Sequence, residues 1–263
     1  MTQQNQEPLL KVSNVAVHFG GLVAIADMSF DLYPGELLSL IGPNGAGKTT
    51  AFNVVTGFFP PTKGTVHFQG VNLGDHKTHE IAAMGLVRTF QRTSLFSNET
   101  AFDNVLTGLH LQGKASFLGT ILSLPSMRRE EKALREQAWE LLEFVGLAHR
   151  ANEQSVSLAY GEQRLLGVAI AMAAKAKLLL LDEPAAGMNS AETHVFMEIL
   201  AKIRKRGISI LLVEHDMPLV MGVSDRVIVL NYGKIIANGT PQEVQNNPDV
   251  IEAYLGQGVK QHA

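Results

Sequence analysis

Two kinds of hydrophobic pattern follow each other along the chain. Near the N-terminus, short β-branched and aromatic runs are separated by Gly and Pro pairs, a pattern typical of antiparallel strands joined by turns. We predict such strands at Leu9–Val17, Val23–Leu32 and around Thr65–Phe68. The run Leu37–Ile41 is almost continuously apolar and ends in glycine, which indicates a parallel strand buried on both faces.

The second half repeats this buried-strand pattern. Leu178–Leu181, Ile208–Val213 and Val227–Leu230 are apolar runs with helix-like segments between them. Alternation of buried strands and helices predicts an α/β protein with a mainly parallel, doubly wound sheet.

One helix of this half has well-defined ends. Asn189 is the expected N-cap, with Glu192 three residues later, and Gly207 ends the helix after a basic last turn. Its predicted buried stripe consists of Val195, Phe196, Ile199, Leu200 and Ile203.

From about residue 93 to residue 157 the strand pattern disappears. Leu134, Trp139 and Leu142 recur there at roughly helical spacing, and Glu131 and Arg135 form an i,i+4 pair on a predicted solvated face. We predict a helical subdomain inserted into a single domain of residues 1–263. Residues 9–92 and 158–256 then form the core, which carries the N-terminal antiparallel β-subdomain.

Composition narrows the classes of function. Lys plus Arg number 22 and Asp plus Glu number 25, a net charge of −3, so we expect no nucleic-acid partner. The absence of cysteine excludes disulfides and thiolate zinc sites and fits a reducing compartment. No apolar run approaches the ~18 to 20 residues of a membrane helix, and the polar start predicts no secretory signal.

A glycine-rich segment follows the strand that ends at Ile41 and precedes a helix-compatible segment. Strand, loop and helix in this order are the context of a phosphate-binding loop, in which curled backbone amides and the helix N-terminus face the anion. We expect Lys48 to contact the β- and γ-phosphates and the Thr49 hydroxyl to bind magnesium. The predicted binding residues are Gly42, Pro43, Asn44, Gly45, Ala46, Gly47, Lys48, Thr49 and Thr50.

Two adjacent acids, Asp182 and Glu183, follow the apolar run Leu178–Leu181. The carboxyl ends of parallel strands are where such sheets bind ligands, so Asp182 is a candidate for holding magnesium, usually through water. Neighbouring side chains leave a strand in different directions. Glu183 is therefore the candidate for polarising a water that attacks the γ-phosphate.

With these segments, the chain resembles the ATP-binding cassette ATPases from about Leu9 to Gly256. The segment 158–163, just before an Ala-rich helix, matches that family's signature loop. The resemblance implies ATP and Mg²⁺ as ligands and a head-to-tail dimer, in which one subunit's signature loop completes the other's ATP site. The residues assigned to ATP by this match are Leu158, Ala159, Tyr160, Gly161 and Glu162.

Three further positions match the family. Gln91 matches the glutamine that joins the metal site to the helical insertion, and it is counted among both catalytic and metal-binding candidates. His215 matches the switch histidine that contacts the γ-phosphate and, with Glu183, completes the predicted catalytic set. Phe19 matches the aromatic that stacks on adenine.

The chain departs from the family pattern at two positions. Ala159 stands where most members have a serine that reaches the partner's γ-phosphate, and Asn189 stands where an aspartate is usual. Neither change touches this chain's own Lys48, Asp182 or Glu183. The departures bear on the symmetry of the dimer: a homodimer would carry Ala159 in both ATP sites, whereas pairing with a different ATPase would give one site a complete signature.

The chain carries one cassette and no membrane span, which favours a detached ATPase subunit of a membrane transporter. Segments such as Ala185–Asn189 and the ending Val250–Gly256 resemble the ATPases of branched-chain amino acid uptake systems. The resemblance implies a second, non-identical ATPase, permease subunits, an external or periplasmic substrate-binding protein, and a peripheral location on the cytoplasmic face of the inner membrane. A urea or amide importer, a lipopolysaccharide exporter and, least favoured, a DNA-associated ATPase remain alternatives.

The segment after Gln91 carries Leu95, Phe96 and Phe102 among polar residues. These side chains are either ordinary core or an apolar shelf for a cytoplasmic helix of a permease. We predict that at least one of Leu95 and Phe96 belongs to such a shelf.

Overall fold

The computed structural model describes residues 6–89, 95–110 and 125–258. Its ten strands, numbered in chain order, belong to one sheet. They are β1 Leu10–Phe19, β2 Leu22–Leu32, β3 Leu37–Ile41, β4 Lys63–Phe68, β5 Val71–Asn72, β6 Leu86–Thr89, β7 Leu178–Asp182, β8 Ser209–Val213, β9 Arg226–Asn231 and β10 Lys234–Gly239.

The strand order is β5-β4-β1-β2-β10-β9-β3-β8-β7-β6. The strands β9, β3, β8, β7 and β6 run parallel to one another, and β10 pairs antiparallel with β9. The strands β5, β4, β1 and β2 form an antiparallel part. A single parallel pairing, Lys234 with Asp27, joins the two parts. The predicted mainly parallel α/β fold with an N-terminal antiparallel part is confirmed.

Three strands, β5, β6 and β10, were not predicted from the sequence. β5 has only two residues. β6 has only four residues, and polar Arg88 and Thr89 make up half of it. β10 is mostly half-exposed and pairs antiparallel with β9 through a tight hairpin. None of the three has the continuous apolar run by which the buried parallel strands were found.

The helices cover both faces of the sheet. Between β6 and β7, the described residues form helices and short turns and no regular strand, as expected for the insertion; its limits remain a prediction. The described helices are α1 Lys48–Val55, α2 Thr78–Ala83, α3 Ala101–His110, α4 Pro125–Phe144, α5 Tyr160–Ala173, α6 Ser190–Lys205, α7 Met217–Val223, α8 Pro241–Gln245 and α9 Pro248–Gly258.

The predicted ends of α6 are confirmed. The Asn189 side chain accepts hydrogen bonds from the backbone N–H groups of Ala191 (2.9 Å) and Glu192 (3.0 Å), and Glu192 accepts one from Asn189 N–H (2.9 Å). Phe196, like three other predicted stripe residues, is buried, but Val195 is 45% exposed and its assignment to the stripe was wrong. Its angular position puts it at the edge of the stripe, beyond the surface that the sheet covers.

The core lies on both faces of β7. Leu179 and Leu181 pack with the helical side of the molecule, which includes α3, α4, α5 and α6. Leu178 and Leu180 pack with α1 and the antiparallel strands on the other side. Because successive side chains of a strand point to opposite faces, a strand covered on both sides is apolar at nearly every position. This double cover leaves only the strand ends open for polar chemistry.

The insertion has a mixed surface, as its sequence indicates. Arg135 Nε donates to Glu131 Oε1 at 3.0 Å on the exposed face of α4. Trp139 is 41% exposed, but its ring packs against that of Phe102, with 5.4 Å between the centroids. None of the helices in the described ranges combines the length and the hydropathy of a membrane span.

Candidate functional site

The loop after β3 is packed so tightly that glycine is required at two of its positions. A Cβ on Gly42 would lie 2.0 Å from the carbonyl oxygen of Leu230, and one on Gly47 would lie 2.7 Å from that of Ala24. Gly47 also has a φ of 107°, a conformation that L side chains rarely adopt. The loop is thereby pressed between β2 and β9, directly before the first turn of α1.

Lys48 points back into this loop. Its ammonium group donates hydrogen bonds to the carbonyl oxygens of Gly42 (2.7 Å) and Pro43 (3.1 Å). Burial lowers the pKa of Lys48, and the charges of Glu183 and Asp182 oppose that shift. Lys48 therefore lies within the electrostatic reach of both acids that follow β7.

Asp182, at the end of β7, is held by an arginine that the sequence analysis did not single out. Arg88 of β6 donates to Asp182 Oδ2 at 2.7 Å and, through its other terminal nitrogen, to Asn53 Oδ1 of α1 at 2.7 Å. The same guanidinium lies over the ring of Phe52, 5.6 Å from its centroid. Asp182 is only 4% exposed, so this ion pair is nearly buried.

Glu183 adopts an unusual backbone conformation. Its φ is 47°, in the left-handed region, which costs a non-glycine residue roughly 1–2 kcal/mol. Its N–H donates to Val213 O at 2.8 Å, and its carboxylate Oε1 lies 2.5 Å from Nε2 of His215. The turn thus directs Glu183 towards the loop after β8.

Lys48, Glu183 and His215 border one open cleft of about 340 Å³, whereas Asp182 is not among its lining residues. The predicted residues Glu183 and His215 line it opposite the phosphate-loop residues, and β2 forms a further wall. The lining residues are Leu22, Val23, Ala24, Asn44, Gly45, Ala46, Gly47, Lys48, Thr49, Thr50, Glu183 and His215.

Phe19 lies at the β1–β2 hairpin, where it pairs with Leu22 of the cleft wall. Its side chain is 50% exposed, and its ring meets Phe59 edge to face, with centroids 5.4 Å apart. This position beside the cleft is compatible with stacking on a base, and that role stays a prediction.

The segment 158–162 begins α5 and, among the described residues, contributes nothing to the lining of this cleft. Ala159 is the N-cap and has no side-chain oxygen to cap the helix, although its N–H donates to Glu162 Oε2 at 2.9 Å. The first amides of α5 therefore have no cap from the Ala159 side chain. Amides of this kind bind anions at helix N-termini.

The start of α5 packs against the chain that follows β7. A Cβ on Gly161 would lie 2.9 Å from Glu192 Oε1, and one on Gly187 would lie 3.2 Å from the Tyr160 ring. Arg164 donates to the Tyr160 hydroxyl. The signature segment is thus in direct contact with the cap of α6, which is where Asn189 departs from the family pattern.

Helix α9 contacts the chain at the start of the phosphate loop. Val250 of α9 belongs to an apolar cluster with Ile41, the residue before Gly42. The Tyr254 side chain is 37% exposed, and its partial burial raises its pKa to about 12, while a hydrogen bond from the backbone of Gly42 acts to lower the pKa. Tyr254 was not expected near the site, and no local sequence signal marks this contact.

Gln91 lies outside the described residues, so its predicted role is untested. In the part of the chain that the structure describes, no group of three or more His, Cys, Asp and Glu residues is arranged to bind a metal. The oxygen atoms of Thr49 and Asp182 are nevertheless ligands that Mg²⁺ prefers, since this ion takes few protein ligands and completes its shell with water and phosphate. The residues present fit such a site.

Comparison with known proteins agrees with this geometry. The ABC transporter family model matches residues 25–186, and the model of the branched-chain amino acid ATP-binding cassette transporter family matches residues 234–260. The chain is 48% identical to the high-affinity branched-chain amino acid transport ATP-binding protein LivG of Escherichia coli strain K12, covering 95% of this chain and 99% of LivG. It is 43% identical to BraF of Pseudomonas aeruginosa, a protein of the same description, covering 95% and 98%.

Solved structures show the same likeness. The crystal structure of the ADP conformation of an ATP-binding cassette of an ABC transporter matches with a TM-score of 0.83 and 30% identity, covering 95% of this chain and 99% of that one. A nucleotide-free ATP-binding cassette matches with a TM-score of 0.81 and 29% identity, covering 94% and 99%.

The first prediction concerns the buried pair of Arg88 and Asp182. Replacing Arg88 with Met leaves a buried carboxylate without its partner, which costs about 3–5 kcal/mol in comparable pairs. We expect Arg88→Met to lower the free energy of unfolding by that order, measured by urea denaturation without nucleotide or divalent cations.

The matched control is Arg135→Met, which breaks the exposed pair with Glu131 and should cost at most about 1 kcal/mol. Adding Asp182→Asn to Arg88→Met should recover part of the loss. Equal costs for the two arginine variants would contradict the anchoring role of Arg88.

Proposed function

The chain belongs to the ABC transporter family of ATPases, and we propose that it is the ATP-hydrolysing subunit of an importer of branched-chain amino acids. The observation that carries the proposed chemistry is the single cleft in which Glu183 and His215 face Lys48 and its loop. The cargo rests on the identity to LivG and BraF and on the second family match.

We propose that the cleft binds ATP through its triphosphate. The loop amides and Lys48 would take the β- and γ-phosphates, with Lys48 exchanging its bonds to Gly42 and Pro43 for bonds to phosphate oxygens. Phe19 would stack on the adenine. Thr49, Asp182 and Gln91 would hold Mg²⁺, which when bound would neutralise phosphate charge.

In the proposed hydrolysis, Glu183 accepts a proton from water as the water oxygen attacks the γ-phosphorus. The bond to the bridging oxygen breaks, and ADP and inorganic phosphate leave. His215, hydrogen-bonded to Glu183 at 2.5 Å, would hold the carboxylate in orientation and contact the γ-phosphate. This division gives Lys48 the binding role and Glu183 the chemical role.

The second prediction separates these two roles. Glu183→Gln keeps the shape of the side chain but is a far weaker base, so turnover in the assembled transporter should fall by at least about 100-fold while ATP binding persists. Lys48→Ala should instead weaken ATP binding by about ten- to a hundred-fold, because a hydrogen bond to a charged group is lost. Fluorescent-nucleotide titration and phosphate release measure the two effects. Near-normal turnover of Glu183→Gln would refute the proposed chemistry.

We further propose that the chain works beside a different ATPase subunit, on the cytoplasmic face of the membrane, with permease subunits and an external substrate-binding protein. In a head-to-tail dimer, the signature segment of this chain would complete the partner's ATP site. There Ala159 offers the γ-phosphate no hydroxyl and leaves only the amides of α5. The site built on Lys48 and Glu183 would receive the partner's signature and avoid this loss.

The third prediction follows from this asymmetry. Glu183→Gln in this chain should impair leucine uptake by reconstituted transporters more than the matching substitution in the partner ATPase. A missing hydrogen bond to a charged γ-phosphate is worth roughly 1.5–3 kcal/mol, which would weaken closure of the partner's ATP site by about ten- to a hundred-fold. Equal defects would remove the asymmetry, and a fully active homodimer of this chain would contradict the mixed pair.

We propose that Phe96 is part of the permease contact. Its side chain is 56% exposed, while Leu95 packs against the core and Phe102 is buried, so the predicted shelf is narrower than the three residues suggested. The buried Asn104 accepts from Phe96 N–H (2.9 Å) and donates to Phe96 O (3.1 Å). The N–H and the carbonyl of Phe96 are both hydrogen-bonded, so the backbone is held in place while the ring is exposed. Such a ring is suited to contact a partner helix.

The fourth prediction tests this surface. Phe96→Glu should abolish copurification with the permease or uncouple hydrolysis from uptake, because a charge would be buried in an apolar contact. Val71→Glu is the control, since Val71 is also exposed but lies on β5 at the opposite edge of the sheet. If Phe96→Glu copurifies and transports as well as Val71→Glu, the contact does not involve Phe96.

A further inference from the structure

Glu214 is a buried acid that takes no part in the proposed hydrolysis. It lies between β8 and α7 and is only 2% exposed. Its Oε1 accepts from the N–H of Ala185 at 2.7 Å, and its Oε2 accepts from the N–H of His215 at 2.9 Å. One carboxylate therefore joins the loop after β7 to the loop after β8.

These two loops carry the side chains that meet in the cleft. Ala185 follows Glu183 by two residues, and His215 is the residue after Glu214. Glu183 and His215 are far apart in the chain, so only non-covalent contacts between the loops keep their side chains at 2.5 Å. Glu214 supplies such a contact, because it accepts from Ala185, two residues after Glu183, and from the backbone of His215.

The turn at Glu183 needs this support because of its backbone conformation. The left-handed φ of 47° is held on one side by the bond from Glu183 N–H to Val213 O (2.8 Å). Glu214, the residue after Val213, provides a second hydrogen bond to the same turn by accepting from the N–H of Ala185. A strained conformation persists only where its surroundings over-determine it. We expect loss of the second bond to let the turn relax and to move the Glu183 carboxylate.

Both oxygens of Glu214 must be acceptors for this arrangement. Burial raises the pKa of Glu214, while hydrogen bonds from the backbone of Ala185, His215 and Asp216 lower it. Glutamine has one acceptor oxygen and one NH₂ group, and its NH₂ would face an N–H donor. Glutamine can therefore keep only one of the two connections, although its size is the same.

We propose that Glu214 is a positioning residue that clamps the two loops together and so sets the geometry of Glu183 and His215. This proposal deepens the proposed ATPase function and rests on it. Glu214 is not itself among the residues that line the cleft, and it reaches the site only through the backbone N–H groups of Ala185 and His215. Its loss should therefore affect the chemical step and spare nucleotide binding.

The test uses Glu214→Gln in the assembled transporter. We expect kcat for ATP hydrolysis to fall about tenfold or more, with the Kd for ATP unchanged within about threefold. In the background of Glu183→Gln, the same substitution should lower the residual rate by less than about twofold, because its effect passes through Glu183. Glu214→Asp, which keeps the charge but is too short to span both amides, should also lower kcat and serves if the glutamine variant folds poorly.

Glu36→Gln is the matched control. Glu36 is as buried as Glu214, at 4% exposure, and accepts from Tyr33 N–H (2.8 Å) and Arg226 Nε (2.8 Å), away from the cleft. It should lose stability and keep kcat within about twofold. A kcat for Glu214→Gln and Glu214→Asp no lower than that of Glu36→Gln would overturn the positioning role.

The experiment distinguishes this failure from failure of the proposed function. Inactive Glu183→Gln together with fully active Glu214 variants would refute the clamp alone. Active Glu183→Gln would refute the assignment of the base, and with it the clamp. An additive loss in the double variant would indicate that Glu214 acts on the structure as a whole, which also overturns the proposal.

Discussion

The close packing of the loop after β3 is the constraint on which the rest of the site depends. Gly42 lies against the carbonyl of Leu230, and Gly47 lies against that of Ala24, at distances where no Cβ fits. The N–H of Gly233, in the β9–β10 turn, donates to Ala46 O at 2.9 Å and holds the loop from a third side. A loop fixed by backbone contacts on this scale presents its amides in one arrangement, so little entropy remains to be lost when an anion binds.

The charged groups around this loop are arranged as pairs with different burial. Arg88 and Asp182 form a nearly buried pair that also ties β6 to β7 and α1. Glu183 and His215 form a more open pair at the cleft. Since a desolvated pair is held much more firmly than an exposed one, the first suits a scaffold and the second suits a reacting group. The position of each carboxylate at the end of the same strand determines this division.

The signature segment and the end of β7 are connected through packing within one chain. Gly161 leaves room for Glu192, whose carboxylate caps α6, and Gly187 leaves room for the Tyr160 ring. In the proposed dimer, the signature would face the partner's ATP, while the loop after β7 carries this chain's own Glu183. Within the chain, the signature segment and the residues after β7 are therefore in direct contact, and Asn189 lies beside that contact as the cap of α6.

Local patterns in the sequence were sufficient for most of the fold and for the residues that carry the proposed chemistry. Leu37–Ile41 and Leu178–Leu181 are apolar at every or nearly every position because both faces of these strands are covered. The phosphate loop and the pair Asp182 and Glu183 were identified in the same way, because their chemistry depends on residues adjacent in the chain. The cap of α6 is likewise a contact over three residues.

Tertiary structure alone decided the contacts between distant segments. Arg88 meets Asp182 only because β6 lies beside β7, and a four-residue strand that is half polar gives no sign of that neighbour. In the sequence, Glu214 is an acid at a strand end with nothing to mark it as buried. Only the folded chain encloses it between two loops. The sequence likewise did not predict that Phe102 is buried while Phe96 is exposed. The physical reason is the same in each case: periodicity reports which face of an element is covered, whereas pairing and enclosure depend on which elements become neighbours.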